Sequence, residues 1–279
     1  MLLAQITDSH IVAPGTRLHD RADPSAMLAA AVAHVNALVP RPDVVLATGD
    51  LVNDGRPAEY EELVRVLAEL EPPLLAIPGN HDSRAALRAA LPAATAFDTA
   101  PPAPNGSCDE ADLPLDGVVE SYPLRLIGLD TTIPGGHGGR FRPEQASWLD
   151  ETLSAQPDRP TLIFQHHPPF ATGIAWMDDN GLADRELEAA VVARHPQVVG
   201  VVCGHLHRTI TTAFAGTVAS TWPSTGPQIA LALDGTAHRY ADEPTAITLH
   251  HWSPTGGLVS HLSYVDRAEE WLPPWAVGR

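Results

Sequence analysis

The arrangement of apolar runs predicts an α/β fold: a four-layer α/β/β/α sandwich of two mixed sheets flanked by helices. Two observations carry this. Up to about residue 91, short apolar runs alternate with helix-like stretches in a βαβαβ order, which favours a parallel sheet with right-handed crossovers. From Arg208 onward the pattern changes to short alternating strands with no helical period. Two sheets packed face to face, one from each half and with helices outside, satisfy both patterns. The chain has 279 residues, and α/β sandwiches of that length fold as one unit.

The elements follow in order. Leu2 to Ile6 reads as the first strand, with Thr7-Asp8-Ser9-His10 as the loop at its C-terminal end. Asp23 as N-cap and Pro24 at the first helical position start a helix that runs through an Ala-rich stretch to about Leu38. Val44 to Ala47 is a short buried strand ending at Gly49-Asp50. Pro57 opens an amphipathic helix through Leu70, and Leu74 to Ile77 forms a third strand ending at Gly79-Asn80-His81-Asp82. A helix near Ser83 to Leu91 leads into residues 92–117, where Pro92, Pro101, Pro102, Pro104 and Pro114 indicate a surface loop or cap. Strands Val118 to Tyr122 and Leu124 to Leu129 precede the Gly-rich loop Thr131 to Gly139. A helix from Pro143 to about Gln156 then leads to strand Thr161 to Gln165, which ends at His166-His167-Pro168-Pro169. An acidic helix, Ala183 to Arg194, precedes strand Val198 to Cys203. The later strands lie near Ile210 to Phe214, Val218 to Thr221, Ile229 to Leu233, Ile247 to His251 and Leu258 to Tyr264. One domain over residues 1–267 is followed by an aromatic tail, 268–279, carrying Trp271-Leu272-Pro273-Pro274-Trp275.

Composition narrows the partners. Lys and Arg number 17 against 34 Asp and Glu, and the resulting net charge of −17 repels a nucleic acid duplex. A small anion can still bind where metal ions supply a local attraction. The two cysteines, Cys108 and Cys203, lack metal-ligand spacing, and the sequence leaves a disulfide between them open. The opening Leu2-Leu3-Ala4-Gln5-Ile6 is too short for a secretory signal, and no apolar stretch is long enough to cross a bilayer. A cytoplasmic protein without a membrane partner is the expectation.

Short polar motifs recur at the ends of these strands: Asp8-x-His10, Gly49-Asp50, Gly79-Asn80-His81-Asp82, His166-His167 and Gly204-His205-x-His207. Parallel sheets gather functional loops at those ends. Singly, each motif has an ordinary structural role, such as a capping Asp or a strand-to-loop turn. Together, carboxylate, imidazole and amide donors delivered from several strand ends suit a pair of divalent cations, so the chain reads as a dinuclear metallohydrolase.

This ordered set, with Gly49-Asp50-Leu51, Glu59-Tyr60 and His166-His167-Pro168-Pro169, resembles the calcineurin-like metallophosphoesterase superfamily, in the bacterial branch of cyclic-nucleotide phosphodiesterases and glycerophosphodiesterases. The motifs span residues 8 to 207. The resemblance implies a metal-dependent phosphodiesterase that hydrolyses small phosphodiesters, with 3′,5′-cyclic nucleotides in the foreground, by attack of a metal-bound hydroxide. A broad-specificity glycerophosphodiesterase and a non-catalytic scaffold on the same fold are the alternatives. It also implies two divalent metal ions, one held by Asp8, His10 and His207, the other by Asn80, His166 and His205, with Asp50 bridging them. Softness allows Mn, Fe, Zn or Co at both positions. His81, beside ligand Asn80, is expected to act on the phosphoryl group rather than bind metal.

Residues around the motifs have weaker assignments. His167 is expected to orient a ligand, Asn53 to bond one or to shape a turn, and His137 to reach a substrate. Asp130 reads as a strand-terminating Asp. Phe170, Trp176, Met177 and Trp222 are expected to form an apolar wall. No spacing recruits His19, His34, His195, His238, His250, His251 or His261. The tail has two roles open to it: docking on a neighbouring subunit in a homo-oligomer, as is common among the resembling enzymes, or folding back on its own sheet.

Overall fold

The structure is a computed structural model that describes residues 1–99, 113–235, 238–266 and Trp271. Its first part runs β1 (Leu2–Ile6), α1 (Pro24–Asn36), β2 (Val44–Thr48), α2 (Pro57–Leu67), β3 (Leu74–Ile77) and α3 (Arg84–Ala90). Then come β4 (Gly117–Val119), β5 (Arg125–Leu129), β6 (Gly139–Arg140), α4 (Pro143–Ala155), β7 (Thr161–Gln165), α5 (Ala175–Asp178), β8 (Leu182–Ala183), α6 (Arg185–Val192) and β9 (Val198–Cys203). The last part is β10 (Ile210–Phe214), β11 (Thr217–Thr221), β12 (Gln228–Ile229), β13 (Tyr240–Ala241), β14 (Ala246–Ser253) and β15 (Gly257–Tyr264).

Local chemistry starts the helices where expected. The Asp23 carboxylate accepts the Ala26 N–H at 3.1 Å, and Pro24 follows at the first helical position. At α2, Glu59 reaches back to accept the N–H groups of Asp54 and Arg56 at 2.9 and 3.1 Å. Ser83 caps α3.

Two large sheets form, in the orders β15-β14-β1-β2-β3 and β10-β11-β9-β7-β5-β4. Strands β1, β2 and β3 pair in parallel, as do β5, β7 and β9. Side chains alternate between faces along each strand. Leu3, Val44 and Leu46 meet Leu126, Leu162, Phe164 and Val202 in a core between the sheets. Ala4, Ile6, Val45 and Ala47 turn the other way, onto α1 and α2, whereas Ile127, Ile163 and Val201 pack toward α4 and α6. Both faces of the central strands of both sheets are therefore buried, which is the four-layer arrangement, while the outer strand β15 is largely exposed and β10 partly so.

Two strand expectations are corrected. The two halves of the chain do not each make a sheet: β10 and β11 extend the β9 sheet, while β14 and β15 cross to the first sheet, where β14 lies antiparallel to β1. That hairpin covers the β1 edge, which would otherwise offer unpaired backbone groups to solvent. Around Ile229 only Gln228–Ile229 is a strand, and Leu231 and Leu233 are exposed. Of the Pro-rich stretch, residues 100–112 and with them Cys108 lie outside the described residues; its flanks are exposed at Pro92, Ala93, Ala96 and Asp98 but anchored at a few points. Ala94, Leu115 and Asp116 are buried, and Arg142 pairs with Asp116 at 2.8 Å. The aromatic tail likewise lies outside the described residues except for Trp271.

Candidate metal centre

Because the parallel strands of both sheets point the same way, the loops after β1, β2, β3, β7 and β9 meet along one edge of the sandwich. Backbone hydrogen bonds lace them together. Asp8 N–H donates to the Gly49 carbonyl at 3.0 Å, His10 N–H to that of Asp50 at 2.9 Å, and Gly204 N–H to that of His166 at 3.1 Å. The backbone here is forced. Nine non-glycine residues among those described have positive φ, and five of them are Asp8 (53°), His10 (46°), Asp50 (51°), His205 (69°) and His207 (48°). Each such residue costs on the order of 1–3 kcal/mol and persists only where its surroundings over-determine it. Gly79 is required by contact, since a Cβ there would stand 2.8 Å from Asp50 Cγ.

The side chains converge. Asp8, His10 and His207 bring one donor atom each within 4.8 Å of one another. His207 Nε2 lies 3.4 Å from Asp8 Oδ1 and 3.1 Å from His10 Nε2. On the other side, His166 Nε2 is 3.2 Å from Asn80 Oδ1 and 3.3 Å from Asp50 Oδ2. Asp50 Oδ2 is also 3.7 Å from His10 Nε2, so this carboxylate stands between the two sets. The His205 ring packs 5.1 Å from that of His166, and its buried Nε2 has no hydrogen-bond partner among the described residues.

Tautomers decide what such an arrangement can hold. His166 Nδ1 lies 2.8 Å from the Thr48 carbonyl and His207 Nδ1 2.6 Å from that of Pro227, so each Nδ1 carries the proton it donates. Once any second proton has left, as a cation would require of His166, each Nε2 presents a lone pair to neighbouring nitrogen and oxygen acceptors. Lone pairs aimed at one another repel, and a divalent cation between them turns the repulsion into ligation. The residues present fit a metal in chemistry, burial and orientation.

The electrostatics agree. Burial holds His10 and His205 well below the usual histidine range, so both rings are neutral and free to ligate. Burial also raises Asp8, whereas Asp50 stays well below the carboxylate range despite burial because His166, His81 and His10 surround it. His166 goes the other way, up to about 9: burial opposes this, but Asp50 and Asp8 outweigh it. That value registers how strongly the spot attracts positive charge. Burial, aided by His166, brings His167 down to about 3.

Neighbouring residues sort by contact. His81 donates its backbone N–H to Asp50 Oδ1 at 2.8 Å, and its Nδ1 sits 2.6 Å from the Asn53 carbonyl. Its ring packs edge-on 4.7 Å from that of His10 and lines the cleft above the donors. Asn53 thus acts through its backbone, while its side-chain amide donates to Asp54. His167 has both ring nitrogens engaged, by Thr131 Oγ1 at 2.8 Å and the His137 carbonyl at 3.2 Å, and so braces the loop that carries His137 into the cleft. Asp82 accepts the N–H groups of Leu51, Val52 and Gly79 and the Tyr60 hydroxyl, tying the two ligand loops after β2 and β3 to each other and to α2. Asp130 is bound by Arg84 at 2.7 Å and is structural.

The expected wall is half right. Trp176 and Met177 line the cleft, but Phe170 packs with the core under α4 and α6, and Trp222 is buried between the sheets. Sequence reasoning missed Asn180, His238 and Tyr240, which also line it. They come from a turn after α5 and from the β12–β13 pair, elements too short to leave a periodic signal.

A family model described as calcineurin-like phosphoesterase matches residues 1–209. The chain is 34% identical over 271 residues to an Arcobacter nitrofigilis protein named a probable glycerophosphodiester phosphodiesterase, covering 96% of this chain and 95% of that one. It is 33% identical over 225 residues to a Vibrio vulnificus protein named a 3′,5′-cyclic adenosine monophosphate phosphodiesterase, covering 80% and 76%. Among solved structures, a dimetal phosphatase from Danio rerio superposes with a TM-score of 0.62 at 16% identity, over 95% of this chain and 99% of that one, and shares the fold.

Proposed function

The chain belongs to the calcineurin-like phosphoesterase family, and from that premise we propose that it hydrolyses small phosphodiesters with two divalent metal ions held at the ends of its parallel strands. The observation that carries the reading is the Asp50 carboxylate standing between two donor sets, with His10 at 3.7 Å on one side and His166 at 3.3 Å on the other. Asp8, His10 and His207 would hold one ion, and Asn80, His166 and His205 the other, with Asp50 shared. Mixed nitrogen and oxygen donors suit Mn, Fe, Zn or Co. Bound there, two cations supply Lewis acidity that neutralises phosphoryl charge and acidifies water toward neutral pH.

The protein's own groups complete the chemistry. With Nδ1 donating to the Asn53 carbonyl, His81 is held in one orientation at the rim of the cleft, where in its imidazolium form it can pass the Nε2 proton to the departing alkoxide and return to the neutral Nδ1–H ring. The His81 main-chain N–H fixes one oxygen of Asp50 and leaves the other for ligation. Relatives named for glycerophosphodiester and cyclic-nucleotide hydrolysis support a diester substrate. The net charge of −17 disfavours a nucleic acid duplex. A scaffold role has no support, because every expected donor is retained. Among the described residues no helix is long and apolar enough to cross a membrane.

Elemental analysis of wild type and Asn80→Ala, paired with a substrate panel, tests this. Wild type should carry about two metals per chain, and the variant should approach one and lose turnover with little change in melting temperature. Full metal content and activity in Asn80→Ala would contradict the assignment. No hydrolysis of bis(p-nitrophenyl) phosphate by protein loaded with Mn, Fe, Zn or Co would contradict the activity.

A further inference from the structure

Beside the donor cluster, the cleft is lined by Trp176, Met177, Asn180, His238 and Tyr240. Three of these make a ladder of rings. Trp176 and His238 are stacked, with centroids 3.7 Å apart and planes 20° apart, and Tyr240 lies 4.6 Å beyond His238. Tyr240 in turn lies 6.3 Å from the ring of His207, so the ladder begins within one substituent's reach of the donors. A small satellite core of Ile174, Met177, Leu206 and Ile229 holds α5 and the β12–β13 pair against the His205–His207 turn. The ladder is therefore fixed relative to the donors rather than hung on a free loop.

Two features mark it as a binding face. His238 and Tyr240 are exposed although they are aromatic rings at the mouth of a cleft. The indole N–H of Trp176 is buried with no hydrogen-bond partner among the described residues, a donor that a ring nitrogen or carbonyl of a bound heterocycle would satisfy. Burial, together with His207 and His19, lowers His238, so its ring is neutral and suited to stacking. Aliphatic alcohols such as glycerol offer neither a flat face nor a ring acceptor.

We propose that Trp176, His238 and Tyr240 form a subsite for a planar aromatic substituent of the diester, a nucleobase in the first instance, and set a preference for such diesters over those of aliphatic alcohols. This rests on the phosphodiesterase reading of the adjoining donors.

The test compares wild type with His238→Ala and Trp176→Phe, using 3′,5′-cyclic AMP and glycerophosphoethanolamine. In His238→Ala, the ratio of kcat/KM for the cyclic nucleotide to that for the aliphatic diester should fall about ten- to a hundredfold, mainly through KM. Trp176→Phe, which keeps a ring but loses the N–H, should fall between. Binding of AMP and of inorganic phosphate to the Mn-loaded protein gives a readout free of turnover. Wild type should bind AMP at least about tenfold more tightly than phosphate, and His238→Ala should lose that advantage. An unchanged ratio in His238→Ala, or equal binding of AMP and phosphate by wild type, overturns the subsite. Absence of turnover on every diester, with the AMP advantage intact, overturns the hydrolysis reading and leaves the subsite standing.

Discussion

Gly204→Ala is expected to cripple the centre without replacing a ligand. A Cβ at Gly204 would lie 2.8 Å from Asp8 Oδ2 and 2.9 Å from the Thr48 carbonyl, with Thr7 Oγ1 closer still. Ordinary contact begins at 3.4 Å, so the methyl group is 0.6 Å too near the first of these. None of the three neighbours can yield cheaply. Thr7 Oγ1 donates to Asp8 Oδ2 at 2.6 Å, Asp8 accepts the His205 N–H at 3.0 Å, and Thr48 is main chain whose carbonyl also orients His166. The turn carrying His205 must therefore move away from Asp8 by roughly the missing distance. Overpacking of this kind costs about 1–3 kcal/mol, which lowers the melting temperature by about 2–4 °C per kcal/mol in a chain of this size. Since a misplacement of about 1 Å can cost a hundredfold in rate, turnover should drop by at least about tenfold, with loss of the metal that His205 would hold. The assays are steady-state hydrolysis, elemental analysis and thermal melting on one preparation. Wild-type metal content and rate in the variant would refute the packing argument.

Two further outcomes follow from buried groups outside the ligand set. Leu206, 1% exposed, lies between two candidate ligands and anchors their turn in the satellite core, so Leu206→Ala should cost about 2–5 kcal/mol. Thermal melting and metal retention should fall together, and a normal metal content in a strongly destabilised variant would show the anchor to be dispensable. Glu188 is fully buried against Gln165, and burial raises its carboxyl from 4.5 to about 8. Between those values the folded state keeps a proton that the unfolded state releases, so stability drops as pH rises through the window and levels off above it. Glu188→Gln should flatten that slope in melting curves taken across the window, and an identical slope in the variant would count against a protonated Glu188.

What could be read from sequence, and what could not, divides along the range of the interactions involved. The strands that carry ligands were legible because each is a short apolar run ended by a polar motif, and α1 and α2 announced themselves through Pro24 and Pro57. The sheet that β14 and β15 join was not, since edge covering is decided by pairing across about the whole chain rather than by local pattern. Trp222 misled for a related reason. It follows β11 closely enough to seem near the late motifs, yet it points into the core between the sheets. His238 and Tyr240 left no signal at all, because their place beside Trp176 comes from two short excursions meeting in space.

The donor loops come from both layers: Asp8, His10, Asp50 and Asn80 follow strands of one sheet, and His166, His205 and His207 follow strands of the other. The hydrogen bond from His205 to Asp8 spans 197 positions of chain. Contacts that distant close late, after the loop entropy between them has been overcome. A site built from both layers is complete only once they have packed, so metal uptake would report completed assembly. A cation held there would rivet the two layers, adding its affinity to the cohesion of the whole sandwich rather than to one turn.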